Sequence, residues 1–560
     1  MNAAQRYQTW TQHPALDAAV AAELAACKDD AAAIDDRFYR DLEFGTGGLR
    51  GVLGAGSNRM NVYTVAKATR GFAAYLKANF TAPRCAVAYD SRHQSDVFAR
   101  VTAAELAAAG VQVYLYPALM PTPMLSFAVR HLACSGGVVI TASHNPAKYN
   151  GYKVYGADGC QITLEAAEKV LACIQKQPDF AEMTADFAQN LAAGIIQMID
   201  AETVQAYYDA VLAESIEKPA VPLHVVYSPL NGAGNVPVRH VLDVLGNIHV
   251  TVVPQQEMPD GDFTTCPYPN PEMEEAMRLS VALCQETGAD FAFATDPDCD
   301  RVGVAALDKS GKAVLINGNE MGVMLFDYIC KSRLANGTMP QNPVAVKTIV
   351  TTEMAAQVAR KYGVELRNVL TGFKFIGEQI GVLEAAGHAE QYIFGFEESY
   401  GYLSGAYVRD KDAVDAAMLI CEMAAHHKAE GKNLLEVLDA LYAEYGYYKN
   451  KLLSFAFEGA AGMHTMQNLL DDLRAQPPAQ FAERKVLSVT DYQNDDTGLP
   501  KSNVLSFALE QSCQLLIRPS GTEPKLKIYV TAQGKTQTDA DKAVAALADA
   551  CTALVAHEKG

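Results

Sequence analysis

One arrangement recurs three times along the chain: apolar strand, helix, apolar strand, helix, apolar strand, and then at once a polar motif. In the first pass Cys85 to Tyr89 reads as a strand, followed by a helix in which Val97, Val101, Ala104 and Ala108 share one face. Strand Val111 to Tyr116, a second helical segment and strand Gly137 to Thr141 come next, and Ser143-His144-Asn145-Pro146 follows immediately. The second pass has strands Leu223 to Tyr227, Ile248 to Val253 and Phe291 to Ala294, then Asp296-Pro297-Asp298-Cys299-Asp300. The third has strands Val344 to Val350, Val364 to Val369 and Gln391 to Phe394, then Glu397-Glu398-Ser399.

Such alternation predicts α/β units with mixed, largely parallel sheets, whose ligands bind beyond the carboxyl ends of the strands. A single polar motif there is ordinary, since loops are polar; three in equivalent positions predict one shared cleft. After about Tyr445 short strands alternate with turn-rich stretches and a closing helix runs from about Asp539 to His557, which predicts a separate α+β domain. The chain has 560 residues, and about 150 residues per domain makes it multi-domain. The expected division is 1–200, 201–320, 321–445 and 446–560. The first forty residues form an Ala-rich helical lead-in.

Net charge of −19 argues against nucleic acid, which needs clustered Lys and Arg, so an anionic substrate requires a local cationic pocket. The twelve cysteines show no CxxC or zinc-ligand spacing. No apolar run is long enough to cross a bilayer, and Met1 to Ala26 lacks the pattern of a secretory signal, so the expected location is the cytoplasm.

Asp296, Asp298 and Asp300 stand at alternate positions, which in an extended segment sends all three carboxylates to one face. Hard oxygen ligands of that kind suit Mg2+. Ser143 ends a strand at a Pro-terminated turn outside any GxSxG context; alone, it and His144 would be turn-forming or structural residues. Phosphoryl transfer gives a reason to pair a serine with a metal, because the reacting group carries spread negative charge. A phosphate on Ser143 would then supply a further metal ligand. Arg518-Pro519-Ser520-Gly521-Thr522-Glu523-Pro524-Lys525 has the composition of an anion cradle: a forked guanidinium, two hydroxyls, a glycine and an ammonium. Phe44 to Gly51 is a glycine-dense loop ending near Arg50, without a nucleotide-binding pattern. Lys153 and Lys374 stand in polar turn contexts and would add cationic charge, and Glu397 and Ser399 could bond sugar hydroxyls.

This set resembles the α-D-phosphohexomutases, the family of phosphoglucomutases and phosphomannomutases, from about Glu43 to Val530. The resemblance implies three similar α/β domains and a C-terminal α+β domain around a central cleft. It implies Ser143 as the phosphoserine and Mg2+ on Asp296, Asp298, Asp300 and the Ser143 phosphate. It also implies that Glu397 and Ser399 bind sugar, that Arg518, Ser520, Gly521, Thr522 and Lys525 bind the phosphate that is not transferred, and that Lys374 contacts substrate. Arg50, Lys153 and the neighbouring His144 fall in the catalytic set, with proton transfer and charge stabilisation the roles of the first two. The reaction implied interconverts glucose 1-phosphate and glucose 6-phosphate through glucose 1,6-bisphosphate, by a monomer or small homo-oligomer. Glu397-Glu398-Ser399-Tyr400-Gly401 replaces the Glu-Met-Ser-Gly-His of dual-specificity members and leans towards glucose. Mannose and pentose phosphates stay open as substrates. A different class, the sugar phosphatases with an aspartate nucleophile, shares the Asp296-Pro297-Asp298 start but lacks its continuation here.

Overall fold

The protein is described by a computed structural model that covers all residues except 15, 46, 182–185, 458, 521–524 and 560. Three sheets share one strand order. In the first, Tyr149–Gly156, Gly136–Ile140, Arg84–Tyr89 and Gln112–Leu115 are neighbours in that sequence, with Gly48–Val52 and Ile196–Met198 added at the two edges. In the second the order is Ala313–Ile316, Val302–Leu307, Phe291–Thr295, Leu223–Ser228, Ile248–Val252. The third runs Gly401–Leu403, Tyr392–Glu397, Val344–Thr348, Glu365–Val369.

Each unit therefore shares a core of three parallel strands and one antiparallel return. The three parallel strands are those whose apolar runs the sequence displays. Strands Gly136–Ile140, Phe291–Thr295 and Val344–Thr348 are buried at every position, as expected of strands covered on both faces.

Two expectations change here. Asn150 to Lys153, read as a polar turn, lies within the return strand Tyr149–Gly156, and Arg50, read in a glycine-dense loop, lies on strand Gly48–Val52. The two strands pair antiparallel, Gly48 opposite Lys153 and Arg50 opposite Gly151, so backbone hydrogen bonding overrides the local turn chemistry.

The fourth unit is a six-stranded sheet whose strands Tyr447–Ala456, Lys525–Gly534, Cys513–Pro519, Leu505–Leu509 and Arg484–Asp491 pair antiparallel in that order. Helix Gln537–Lys559 packs on it. One apolar core runs through the first three units, from Ala86 and Tyr155 through Phe293 to Phe394 and Met418. The fourth has its own core around Leu470, Phe507 and Ile528. A small cluster that includes Val350, Leu370, Leu516 and Tyr529 joins it to the third. Helices Ala3–Thr11, Ala18–Ala26 and Ala31–Phe38 pack Trp10, Leu24 and Phe38 against Tyr63 of the first unit.

Candidate active site

Each of the three polar motifs occupies the tight connection between a parallel strand and its antiparallel return. Ser143 follows Gly136–Ile140, the aspartates follow Phe291–Thr295, and Glu398 to Tyr400 follow Tyr392–Glu397. In each connection one non-glycine residue is left-handed: Ser143 at φ 52°, Cys299 at φ 52° and Tyr400 at φ 66°. Such conformations cost energy and persist where surrounding structure enforces them, which is common at functional sites.

The aspartates converge for a reason different from the one expected. Their segment is a turn closed by Cys299 N donating to Asp296 O at 2.9 Å, not an extended strand. Ligand oxygens of Asp296, Asp298 and Asp300 nonetheless lie within 4.8 Å of one another, and all three residues are buried. Asp296 Oδ1 accepts from the amides of Asp300 and Arg301, both at 3.0 Å. Asp298 Oδ2 accepts from Lys153 Nζ at 2.9 Å and Thr122 Oγ1 at 3.0 Å. Lys411 Nζ stands 2.9 Å from Asp300 Oδ2. By contrast, Asp298 Oδ1 and Asp300 Oδ1 are buried and accept no hydrogen bond among the described residues. Two orphaned carboxylate oxygens in a hard-oxygen cluster fit a small divalent cation.

The electrostatics agree with that fit. Burial and the charges of Asp298 and Asp300 push Asp296 well above the usual carboxylate range. Burial opposes ionisation of Asp298 too, but the Lys153 ammonium beside it, a hydrogen bond with Asp296 and the Lys411 charge together outweigh that and keep it well below the range. Burial likewise disfavours charge on Lys153, and the Asp298 and Asp300 carboxylates reverse the balance and raise it.

Ser143 reaches this cluster directly. Its Oγ donates to Asp296 Oδ2 at 2.9 Å and lies 3.2 Å from His144 Nδ1, while its amide donates to Thr141 Oγ1 at 2.8 Å. Burial, helped by Arg301 and Arg50, holds the His144 imidazole well below its ordinary pKa and therefore neutral near pH 7. Glu397 Oε1 accepts from Gly372 N at 2.9 Å. Burial and the adjacent Glu397 charge push Glu398 up to about 7.

A cavity of about 690 Å3 brings the motifs together. Arg50, Ser143, His144 and Lys153 line it from the first unit, Asp300 from the second, Glu397 and Ser399 from the third, Arg518 and Ser520 from the fourth. Lys374 is placed elsewhere: it stands in the first turn of helix Phe373–Ala385 and lines a neighbouring cavity with Cys160 and Glu378, although the adjacent Gly372 and Phe373 line the central one. Lys525 is the first residue of strand Lys525–Gly534, and Lys527 rather than Lys525 is on the central wall. Gly521 and Thr522 lie outside the described residues.

Sequence reasoning missed four contributors. Lys411 lines the cavity and holds Asp300. Thr122 bonds Asp298. Arg301 binds Glu272 at 2.8 Å and the Ser399 carbonyl at 3.2 Å, tying the aspartate turn to the loop after Tyr392–Glu397. Arg92 donates to the carbonyls of the Ser143 loop. Arg92 had a legible signal, because it follows the first parallel strand as closely as Ser143 follows the third.

Comparison with known proteins agrees with this geometry. Sequence profiles of phosphoglucomutase/phosphomannomutase alpha/beta/alpha domains I, II and III match residues 41–181, 205–310 and 317–445. The phosphoglucomutase of Staphylococcus epidermidis is 36% identical over 501 residues, covering 88% of this chain and 90% of that protein. That of Staphylococcus haemolyticus is 36% identical over 509 residues, covering 88% and 91%. A crystal structure from Thermus thermophilus, described as a putative phosphomannomutase, superposes with a TM-score of 0.70 at 25% identity, covering 92% of this chain and 99% of that one. With three domain profiles matched in order and the motif loops gathered on one cavity, the chain belongs to the phosphoglucomutase/phosphomannomutase family, the α-D-phosphohexomutases.

Proposed function

We propose that this enzyme interconverts glucose 1-phosphate and glucose 6-phosphate through a phosphate carried on Ser143. The observation that carries the reading is Ser143 Oγ, on the cavity wall and 2.9 Å from a carboxylate oxygen of the buried aspartate cluster. Asp296, Asp298 and Asp300 would hold Mg2+, which when bound supplies positive charge to a phosphoryl oxygen on Ser143.

In the first half-reaction the bond between Ser143 Oγ and phosphorus breaks as a substrate hydroxyl oxygen bonds to phosphorus; the substrate hydroxyl gives up one proton and Ser143 Oγ takes up one, leaving as the serine hydroxyl. Glucose 1,6-bisphosphate results. The sugar then turns over and returns its other phosphoryl group to Ser143. Arg50 and Lys153 line the cavity beside Ser143 and offset the charge in transit, while Arg518 and Ser520, contributed by the fourth unit, suit the phosphate that stays. Glu397 and Ser399 line the same cavity and suit the sugar hydroxyls. The reading carries with it the cytoplasm as the place of work and a monomer or small homo-oligomer as the working form.

An aspartate-nucleophile phosphatase is less well supported. Asp296 has Oδ1 on two backbone amides and Oδ2 on Ser143, and it sits behind Ser143 rather than on the cavity wall. Glucose is favoured over mannose by Glu398 in the sugar loop and by the phosphoglucomutase names of the relatives.

Peptide mapping of the purified protein should find phosphate on Ser143, stable to hydroxylamine. Ser143→Ala should lose mutase turnover and keep substrate binding. A coupled assay of glucose, mannose and ribose 1-phosphates should rank glucose first. A hydroxylamine-labile phosphate on Asp296, or unchanged turnover in Ser143→Ala, would sink the proposal.

A further inference from the structure

Arg92 is a buried charge with an unusual number of partners. Its side chain is 0% exposed and Nε stands 3.2 Å from Asp90 Oδ2. Nη2 donates to the carbonyls of Ser143 and Asn145, and Nη1 donates to those of Pro146 at 3.1 Å and Tyr149 at 3.2 Å. The Phe263 ring of the second unit covers it, with its centroid 5.0 Å from Cζ. Taking a guanidinium out of water costs several kcal/mol unless it is paired and hydrogen-bonded. Here the compensation comes from one carboxylate and from four carbonyls in one short stretch, 143–149, which begins with Ser143.

The direction of those carbonyls has a consequence for the site. In a trans peptide the N–H points opposite to the C=O, so a Ser143 carbonyl drawn onto Arg92 turns the His144 N–H away from Arg92. The His144 amide makes no hydrogen bond among the described residues, and both Ser143 and His144 line the cavity. A backbone amide fixed in this way is a donor for an anionic oxygen, and it needs no rearrangement during reaction.

We infer that Arg92 is a positioning residue for phosphoryl transfer. It gathers four carbonyls of the 143–149 loop, seats Ser143 Oγ against Asp296, and aims the His144 amide at the phosphoryl group on Ser143. The inference rests on the phosphoserine reading above. Arg92 touches no substrate; it acts through the loop.

The test compares full-length wild type with Arg92→Met and Arg92→Lys, each measured on folded protein isolated by size exclusion. Peptide mapping first establishes phosphate on Ser143 in the wild type; its absence there defeats the underlying reading rather than Arg92 alone. With phosphate present, R92M should lose about a hundred-fold in kcat for glucose 1-phosphate, with KM changed by less than about three-fold. R92K keeps the charge but cannot fork across four carbonyls, so it should recover only part of that loss. Wild-type kcat in either folded variant overturns the inference, as does a loss carried by KM. Failure of both variants to fold assigns Arg92 to stability and overturns it too.

Discussion

Gly48→Ala tests whether backbone fit between two strands sets the geometry of the reacting wall. A Cβ built on Gly48 falls 2.0 Å from Tyr152 O and 2.9 Å from Lys153 Cα. Ordinary carbon–oxygen contact is about 3.3 Å, so the strands must part by roughly 1 Å. Lys153 is anchored by Asp298, whereas Gly48–Val52 is the sheet edge; the edge strand should yield and carry Arg50 with it. Overpacking of this kind costs about 1–3 kcal/mol of stability. A displacement of about 1 Å at a positioned group can cost about a hundred-fold in rate, and that is the expected fall in kcat. Gly110→Ala is the control: at φ +84° it meets no atom within 4 Å, so it should lose about 1–2 kcal/mol through backbone strain and keep full turnover. Steady-state kinetics and thermal unfolding of both variants decide the matter. Folded Gly48→Ala with kcat within about three-fold of wild type would refute the reasoning, because a shift of about 1 Å would then be harmless.

Three further outcomes follow from charge at the site. Glu398, raised by burial and by Glu397 to about 7, carries a protonated-state stability that is complete below the unfolded carboxyl value and lost as pH rises through 7. Glu398→Gln should therefore raise the unfolding midpoint at pH 8 by about 2 °C or more and leave it nearly unchanged at about pH 4, below the unfolded carboxyl value; equal shifts at both would remove Glu398 as the cause. Chelation with EDTA should stop turnover, and Mg2+ should restore it. Asp298→Asn should weaken Mn2+ binding, followed by electron paramagnetic resonance, by about tenfold or more, the scale on which even a ligand's supporting partner matters; wild-type affinity would rule Asp298 out as a ligand.

Several elements are legible because burial leaves its mark locally. Strands Gly136–Ile140, Phe291–Thr295 and Val344–Thr348 are apolar runs because helices cover both faces, and the ends of the first two mark where Ser143 and the aspartates begin. The return strands are harder to see. Tyr149–Gly156 contains Asn150, Gly151 and Lys153, whose composition reads as a turn until the Gly48 strand pairs with it. Helix Ser95–Ala108 is visible in the sequence, but Val97 is 36% exposed and the core takes Phe98, Ala103 and Leu106 instead. An Ala-rich helix offers nearly every face as apolar, so periodicity could not choose among them.

By itself the sequence determined the α/β repeat, the family, and the Ser143, aspartate and Glu397 motifs, because strand periodicity and ligand chemistry are local properties. Tertiary structure alone decided that Lys153 and Lys411 grip the aspartates, that Lys374 lines a side cavity, and that Arg92 holds the Ser143 loop. Two of those pairings join residues 145 and 51 positions apart, Lys153 with Asp298 and Arg92 with Ser143. Hydrogen bonds and ion pairs act over a few ångströms in space, and only the folded chain sets which residues come that close.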